Sequence, residues 1–369
     1  MDPVKIIKRA WHILWSYRAL WVFGLIIALA TAGSSGGGSN SGTRYTFDRE
    51  DQQMPLPEDF REGLEEFVRE MERFFDEGPG QVDIPQGQVT ALIVIVVAFV
   101  AIMMLLGILI TVARYVSETA VIRMVDEYEG TDTKMSVRQG FRIGWSRTSW
   151  RLFLIDLIVS LPAILLALAL LGAGIGIFLA VENGSLTFTS FNVIAMIGVV
   201  FVLIFAVVIL SVFLRLLRHF FWRVSALEDL GVTDSLRRGW ELVRENWRSV
   251  GLMWLVMIGL GIAWAIASII LFFISIPLLL LTAAVAFVIC VVPALLLVGL
   301  FHLFLGNVLA WVLGIVMVLP LFFTLAFSPW VLVGSWQAVF TSSVWTLTYR
   351  EVKAMPNGNA EIEEVPAPG

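Results

Sequence analysis

Two stretches of this chain, residues 152–214 and 249–349, contain no lysine or arginine, and both are apolar almost throughout. That distribution constrains the fold more than any motif. Backbone in hydrocarbon must satisfy its own polar groups, which leaves helices and closed barrels as the only spanning structures. An apolar run of roughly 20 residues is the length of one crossing helix. The cations fall in the gaps. Of 25 lysines and arginines, 20 lie within Lys5–Arg18, Arg114–Arg151, Arg215–Arg248 and Arg350–Lys353. Short basic loops stay cytoplasmic. All four segments share that side only if an even number of crossings separates each from the next. A mean hydropathy of +0.86, with 58% hydrophobic and 15% charged residues, lies outside the soluble range. The expectation is an all-α, polytopic helical membrane bundle of about six transmembrane helices, with both termini cytoplasmic.

The basic gaps repeat a pattern. Ile7-Lys8-Arg9-Ala10-Trp11, Val137-Arg138-Gln139-Gly140-Phe141 and Leu236-Arg237-Arg238-Gly239-Trp240 each run aliphatic, two polar or basic, small, aromatic. Each leads into an apolar run. Basic residues and tryptophan at helical spacing favour the headgroup zone. The chain therefore divides into three units of interfacial helix, outward crossing and inward crossing, over about 1–116, 134–225 and 234–349. They share one orientation, so they are parallel repeats.

In order, residues 1–32 give an interfacial helix and a first crossing from about Leu20 to Ala32. Ala30-Thr31-Ala32 resembles a signal-peptidase site. Because the leader matches two internal copies, it is read as an uncleaved anchor. Residues 33–87 are an acidic insert on the outer side. It has a Gly/Ser linker over 33–42 and a helix over Pro57–Asp76, with Phe60, Leu64, Phe67, Met71 and Phe74 on one face. That helix either packs on the outer mouth of the bundle or meets a protein partner. Residues 88–352 hold the remaining bundle. Crossings are expected near 89–112, 152–181, 193–214 and 251–274. A short non-spanning or re-entrant hairpin is expected near 277–300, with a last proline-kinked crossing over about 308–346; the alternative is two further full crossings. Residues 353–369 read as a disordered cytoplasmic tail.

No constellation for catalysis appears. His12, His219 and His302 are far apart, Cys290 is the sole cysteine, and no HExxH or CxxC is present. No metal, cofactor or enzymatic activity is expected. Asp156 is the one acidic residue inside the apolar part of a crossing, and such a group is by default a functional candidate. The structural alternative pairs it with Arg215 or Arg218. His302 and Asn307 are the other intramembrane polar candidates. Gly172 and Gly176 form a GxxxG that predicts close helix packing. The candidate headgroup-binding or anchoring set is Arg138, Arg142, Trp150, Arg151, Arg237, Arg238, Trp240, Trp247 and Arg248. The bland reading of that set is anchoring; the sharper one is binding of anionic lipids. Nucleic acid is not an expected partner, since the cations alternate with membrane-facing aromatics and acids.

The phrase Val224-Ser225-Ala226-Leu227-Glu228, followed by Ser235-Leu236-Arg237-Arg238-Gly239-Trp240-Glu241-Leu242-Val243-Arg244-Glu245-Asn246-Trp247-Arg248, resembles a signature of uncharacterised bacterial six-helix membrane proteins. Similar to these is the membrane domain attached to some glycerophosphodiester phosphodiesterases. Pro329 and Tyr349-Arg350-Glu351-Val352 match a further feature of that group. The resemblance covers about residues 100–352, and the acidic insert departs from it. It implies a multi-pass protein of the prokaryotic cytoplasmic membrane, carries over no catalytic residue, and leaves the activity open. The resulting expectation is a non-enzymatic scaffold or accessory protein that organises lipids or protein partners. The alternative is a transporter or channel for a small or lipidic solute. A water-accessible cavity lined by Asp156 would favour transport. Asp156 bonded to an arginine in a dry bundle would favour the scaffold, and a cleft open sideways would favour lipid handling.

Overall fold

The computed structural model describes residues 1–32, 86–182 and 190–355, and every regular element among them is a helix. The expected linker, the 57–76 helix and the tail lie outside the described residues. In chain order the helices are α1 (Pro3–Ser16), α2 (Ala19–Ala32), α3 (Gln86–Thr131), α4 (Val137–Gly144) and α5 (Arg147–Glu182). They continue as α6 (Ser190–Leu227), α7 (Val232–Glu245), α8 (Trp247–His302), α9 (Asn307–Ala326) and α10 (Ser328–Ala354). Five helices are long and apolar enough to cross a membrane, or six if the bent pair α1–α2 is one span.

The short helices are well specified locally. The Asp2 carboxylate accepts from the Val4 and Lys5 N–H groups, and Pro3 occupies the first turn of α1, where its missing N–H is no loss. α1 buries Ile6, Ala10, Ile13 and Leu14. Between α1 and α2 the chain turns through 101°. Tyr17 secures that bend: its hydroxyl donates to the Met135 carbonyl at 2.9 Å and accepts from the Met135 N–H at 2.6 Å. α2 has 14 residues, about 21 Å of helix against a hydrocarbon core of about 30 Å. α4 opens on a capping box between Ser136 and Gln139. α3 stops at Thr131, where Asp132 takes φ 55°, a left-handed geometry that aspartate tolerates.

The C-terminal stretch departs from expectation in two places. There is no hairpin over 277–300: α8 runs unbroken for 56 residues with Pro277 and Pro293 inside it. Proline removes one N–H and crowds the carbonyl four residues back. An apolar helix in hydrocarbon tolerates this because local adjustments re-satisfy the freed groups, whereas an exposed non-helical loop would strand many more. The expected single crossing over 308–346 is two helices, α9 and α10, that meet at Phe327. Pro329 lies in the first turn of α10, a position that suits it, and not at a mid-helix kink.

The chain forms two compact units, Met1–Ala30 with Thr111–Ile269 and Gly334–Gly369, and Thr31–Ile110 with Ile270–Val333. In the first unit the packed core lies with the basic segments, away from the middle of the apolar runs. One cluster joins Ile13, Leu14, Leu20 and Phe23 to Val121, Met124, Met253 and Val339. The other joins Ile122, Leu152 and Ile155 to Phe220, Phe221, Leu242, Val250 and Tyr349. Close backbone approach supports both. A methyl group on Gly24 would lie 2.6 Å from the Ser335 carbonyl oxygen, and one on Gly144 2.5 Å from that of Val116. In the second unit Phe301, Leu305 and Ala310 form a small cluster. The Thr282 hydroxyl there donates to the Ala326 carbonyl at 2.7 Å, and the Trp330 indole donates to Ser275 Oγ at 3.2 Å. Cys290 is buried, as a small apolar side chain would be. The most apolar window of α3 has none of its residues buried and that of α8 only 22%. Such surfaces are stable only against hydrocarbon.

Candidate functional site: a basic, tryptophan-rich belt on a locked polar centre

The three matching five-residue stretches fold alike. Each lies on a short helix, α1, α4 or α7, that precedes an apolar helix. The small residue is buried every time: Ala10, Gly140 and Gly239. The following aromatic is exposed every time: Trp11, Phe141 and Trp240. The first polar residue, Lys8, Arg138 or Arg237, is exposed as well. The inward position allows close approach. A methyl group on Gly140 would come 2.5 Å from Met124 Sδ, and one on Gly239 2.5 Å from the Phe221 ring. Trp150 and Trp247 are 61% and 65% exposed, so they too point outward.

The cations of this belt are not equivalent. Arg138 and Arg142 are exposed, with no carboxylate partner among the described residues. Arg248 is exposed over its neighbour's Trp247 ring at 5.6 Å. Arg237 and Arg238 are exposed and share Glu241 at 3.1 and 3.7 Å, surface pairs that leave the guanidinium groups largely open to other anions. Arg151 differs and leaves the headgroup set. Its Nη1 donates to the Asp229 carbonyl at 2.7 Å, to Asp229 Oδ1 at 3.0 Å and to the Leu230 carbonyl at 3.1 Å. It holds the α6–α7 connection against α5. Asp229 itself sits at φ 53°.

Asp156 on α5 is fully engaged. Arg218 Nη1 on α6 donates to Oδ1 at 2.7 Å, and the Tyr115 hydroxyl on α3 donates to Oδ2 at 2.6 Å. Three helices thus converge on one carboxylate, and the Arg218 guanidinium also covers the Trp222 ring at 4.8 Å. Arg215 is not part of this node. It is exposed and lines a cavity of about 210 Å³ with His219, Trp254 and Trp345. His302 and Asn307 are not buried polar groups inside a crossing. Both are exposed and flank the turn between α8 and α9, within the second unit.

A second polar centre was not foreseen from the sequence. Arg223 on α6 is 1% exposed. Its Nη1 donates to the His219 carbonyl at 2.8 Å and its Nη2 to the Ser342 carbonyl on α10 at 3.0 Å. Ser342 Oγ donates to Glu118 Oε1 on α3 at 2.9 Å. The buried guanidinium and the buried carboxylate are therefore bridged by a serine. Ser117, Ser343 and Thr346 are buried around them. The charge pattern alone places Arg223 with the cytoplasmic cations of Arg215–Arg248. The signals against that grouping were its apolar flank, Phe220-Phe221-Trp222 before and Val224 after, and the hydroxyl run Ser342-Ser343-Val344-Trp345-Thr346. Thr346 Oγ1 donates to the Ser342 carbonyl at 2.8 Å, whereas Ser117 Oγ and Ser343 Oγ are buried with no partner among the described residues.

Outside the apolar spans, Glu228 ties the end of α10 to the α6–α7 junction. It accepts from the Tyr349 hydroxyl at 2.6 Å and pairs with Lys353 Nζ at 2.8 Å. Burial works against its charge, but these two donors outweigh burial and hold its pKa below the ordinary carboxylate value. Burial, and then the bond to Glu228, raise the pKa of Tyr349.

A half-open cavity of about 510 Å³ lies between α1, α8 and α10. Its wall includes Trp11, Trp15, Trp264 and Trp336, with Lys8, Gln337 and Thr341 as polar members. No cluster of metal-binding side chains occurs among the described residues.

The model of a protein family described only as a family of unknown function, DUF7544, matches residues 7–343. That match shows no tie to the membrane domain of glycerophosphodiester phosphodiesterases. No curated protein and no solved structure matches the chain.

Proposed function

The chain belongs to this family of unknown function, and we propose that within it the protein is a non-enzymatic, multi-pass scaffold of the prokaryotic cytoplasmic membrane. It organises anionic lipids, or protein partners on a lipid surface, through the belt formed by α1, α4 and α7. Both termini and all basic segments lie on the cytoplasmic side, and the acidic insert faces outward, open to a protein partner. The observation that carries this reading is the common exposure pattern of the three short helices, which supports three copies of one unit. Each buries its small residue and turns an aromatic and a cation outward. An exposed indole beside an exposed arginine suits the headgroup layer, and each cation near an anionic surface adds about 1 kcal/mol of attraction.

A transporter would need a polar route past Asp156. The engagement of Asp156 by Arg218 and Tyr115 instead supports the scaffold. The test is native mass spectrometry of the gently solubilised protein, alone and with Arg237, Arg238 and Arg248 each changed to Gln. The expected result is several anionic lipids on the native protein and a clear loss on the triple variant. Equal retention by both forms would reduce the belt to an anchor and sink the proposal.

A further inference from the structure

We infer that the groove between α1, α8 and α10 is a discrete site for one anionic membrane phospholipid, with an acyl chain between the tryptophans and the phosphate at Lys8. This rests on the scaffold reading and deepens it by giving one anionic phospholipid a discrete site, on residues other than the belt arginines. A volume of about 510 Å³ lies in the range of small-molecule sites.

The wall is built, not incidental. Trp15 meets Trp11 at 5.9 Å, Trp21 at 5.5 Å and Trp336 at 5.5 Å, and Trp21 meets Trp336 at 5.6 Å. The rings sit in edge-on or tilted pairs, which favour aromatic contact. The Trp21 indole also donates to the Leu14 carbonyl at 2.8 Å and fixes the wall to the end of α1.

The polarity of the groove selects its occupant. One end is on α1, where Lys8 is exposed and has no carboxylate partner among the described residues, whereas its neighbour Arg9 is held by Glu129 at 2.9 Å. The wall continues along α8 from Met257 to Trp264, about 10 Å of helix rise, inside a candidate membrane span. A cation on the interfacial helix beside an indole-lined wall that continues along a span suits the headgroup of a phospholipid and the upper part of one acyl chain. A soluble anion would leave the indole body empty, and a neutral chain would leave Lys8 unpaired.

Gly261 opens the groove. It lies in the wall, and nothing stands within 4 Å of where its Cβ would be. A Cβ there enters free space, and replacing glycine inside a helix favours the helix. Gly261→Trp therefore sets an indole at the groove wall from a position that is itself open.

The experiment is native mass spectrometry of the full chain in detergent with equimolar phosphatidylglycerol and phosphatidylcholine. The expected result is one firmly retained phosphatidylglycerol, favoured over phosphatidylcholine by about five-fold for a single lysine. Gly261→Trp loses that lipid with an unchanged melting temperature. Lys8→Gln keeps one lipid but takes both headgroups equally. The Arg237, Arg238 and Arg248 triple variant keeps it, so failure of the belt and failure of the groove are separable. The inference is overturned if Gly261→Trp retains as much lipid, or if Lys8→Gln keeps the preference. It is also overturned if the native chain is a dimer that Gly261→Trp converts to monomer, because a second copy would then fill the groove.

Discussion

Asp156 shows what a carboxylate does when a crossing brings it next to other helices. Alone in hydrocarbon it would be costly. Between Arg218 and Tyr115 it becomes the point where α3, α5 and α6 are joined. Removing the carboxylate leaves the Arg218 guanidinium without its counter-charge, so the loss exceeds that of one hydrogen bond. Asp156→Ala is expected to destabilise the detergent-solubilised protein by about 1–2 kcal/mol, and Tyr115→Phe by about half as much. Adding Arg218→Met to Asp156→Ala should cost less than the two single changes together, since the second removes a charge already orphaned. Thermal melts of the four proteins measure this. Strict additivity would show that the pair does not bind the helices together. The sequence singled out Asp156 and offered two arginines. What it did not carry was the phase of α6 relative to α5, which favours Arg218 over Arg215, or the third partner, Tyr115, from a helix far away in the chain.

Short and long helices differ in how readable they were. α1, α4 and α7 were visible because each carries its own signals: a polar face and a small residue at a fixed place, with a side-chain cap on α1 and α4. Those signals are local, and the structure realises them through Ala10, Gly140 and Gly239. Where elements meet was poorly readable. Gly172 and Gly176 look like a packing motif, yet nothing lies within 4 Å of a Cβ at either. The closest approaches to backbone fall instead at Gly24, inside the apolar α2, and at Gly144, the last residue of the amphipathic α4. Prolines misled in the same way over 277–300, because their helix-breaking cost is judged against water and this segment has none to turn to. Two glycine changes separate these cases. Gly144→Ala places a methyl group 2.5 Å from the Val116 carbonyl oxygen, and backbone moves less readily than a side chain. It should cost about 1–3 kcal/mol in a thermal melt. Gly172→Ala enters open space and should be neutral or stabilising by up to about 1 kcal/mol. A reversal of that order would mean that the GxxxG face is the packed one.

The molecule concentrates its packing with its charges and leaves its most apolar helices with little burial. Buried Glu118, Arg223 and Ser342 join α3, α6 and α10, while Asp156 joins α3, α5 and α6. Those centres and the two apolar clusters lie with the basic segments of the first unit, and the belt helices pack on them. Whether those segments face one compartment depends on the crossing count, and the count turns on α2. Among the described residues five helices are long and apolar enough to cross, and the bent pair α1–α2, taken as one span, makes a sixth. At 14 residues, α2 is short of the hydrocarbon thickness unless the bilayer thins or the chain continues past Ala32. The charge pattern argues for six, because an odd number would put Lys5–Arg18 and Arg350–Lys353 on opposite sides. Single cysteines decide this in a Cys290→Ser background, which is otherwise free of thiols. Lys5→Cys, Ser136→Cys, Thr233→Cys and Ala354→Cys each place a thiol at an exposed position outside the long apolar runs. A membrane-impermeant maleimide should label all four in inverted vesicles and none in right-side-out ones. If Lys5→Cys alone labels from the outer face, α2 does not cross with the expected sense, α1 leaves the cytoplasmic belt, and the three-copy reading reduces to two.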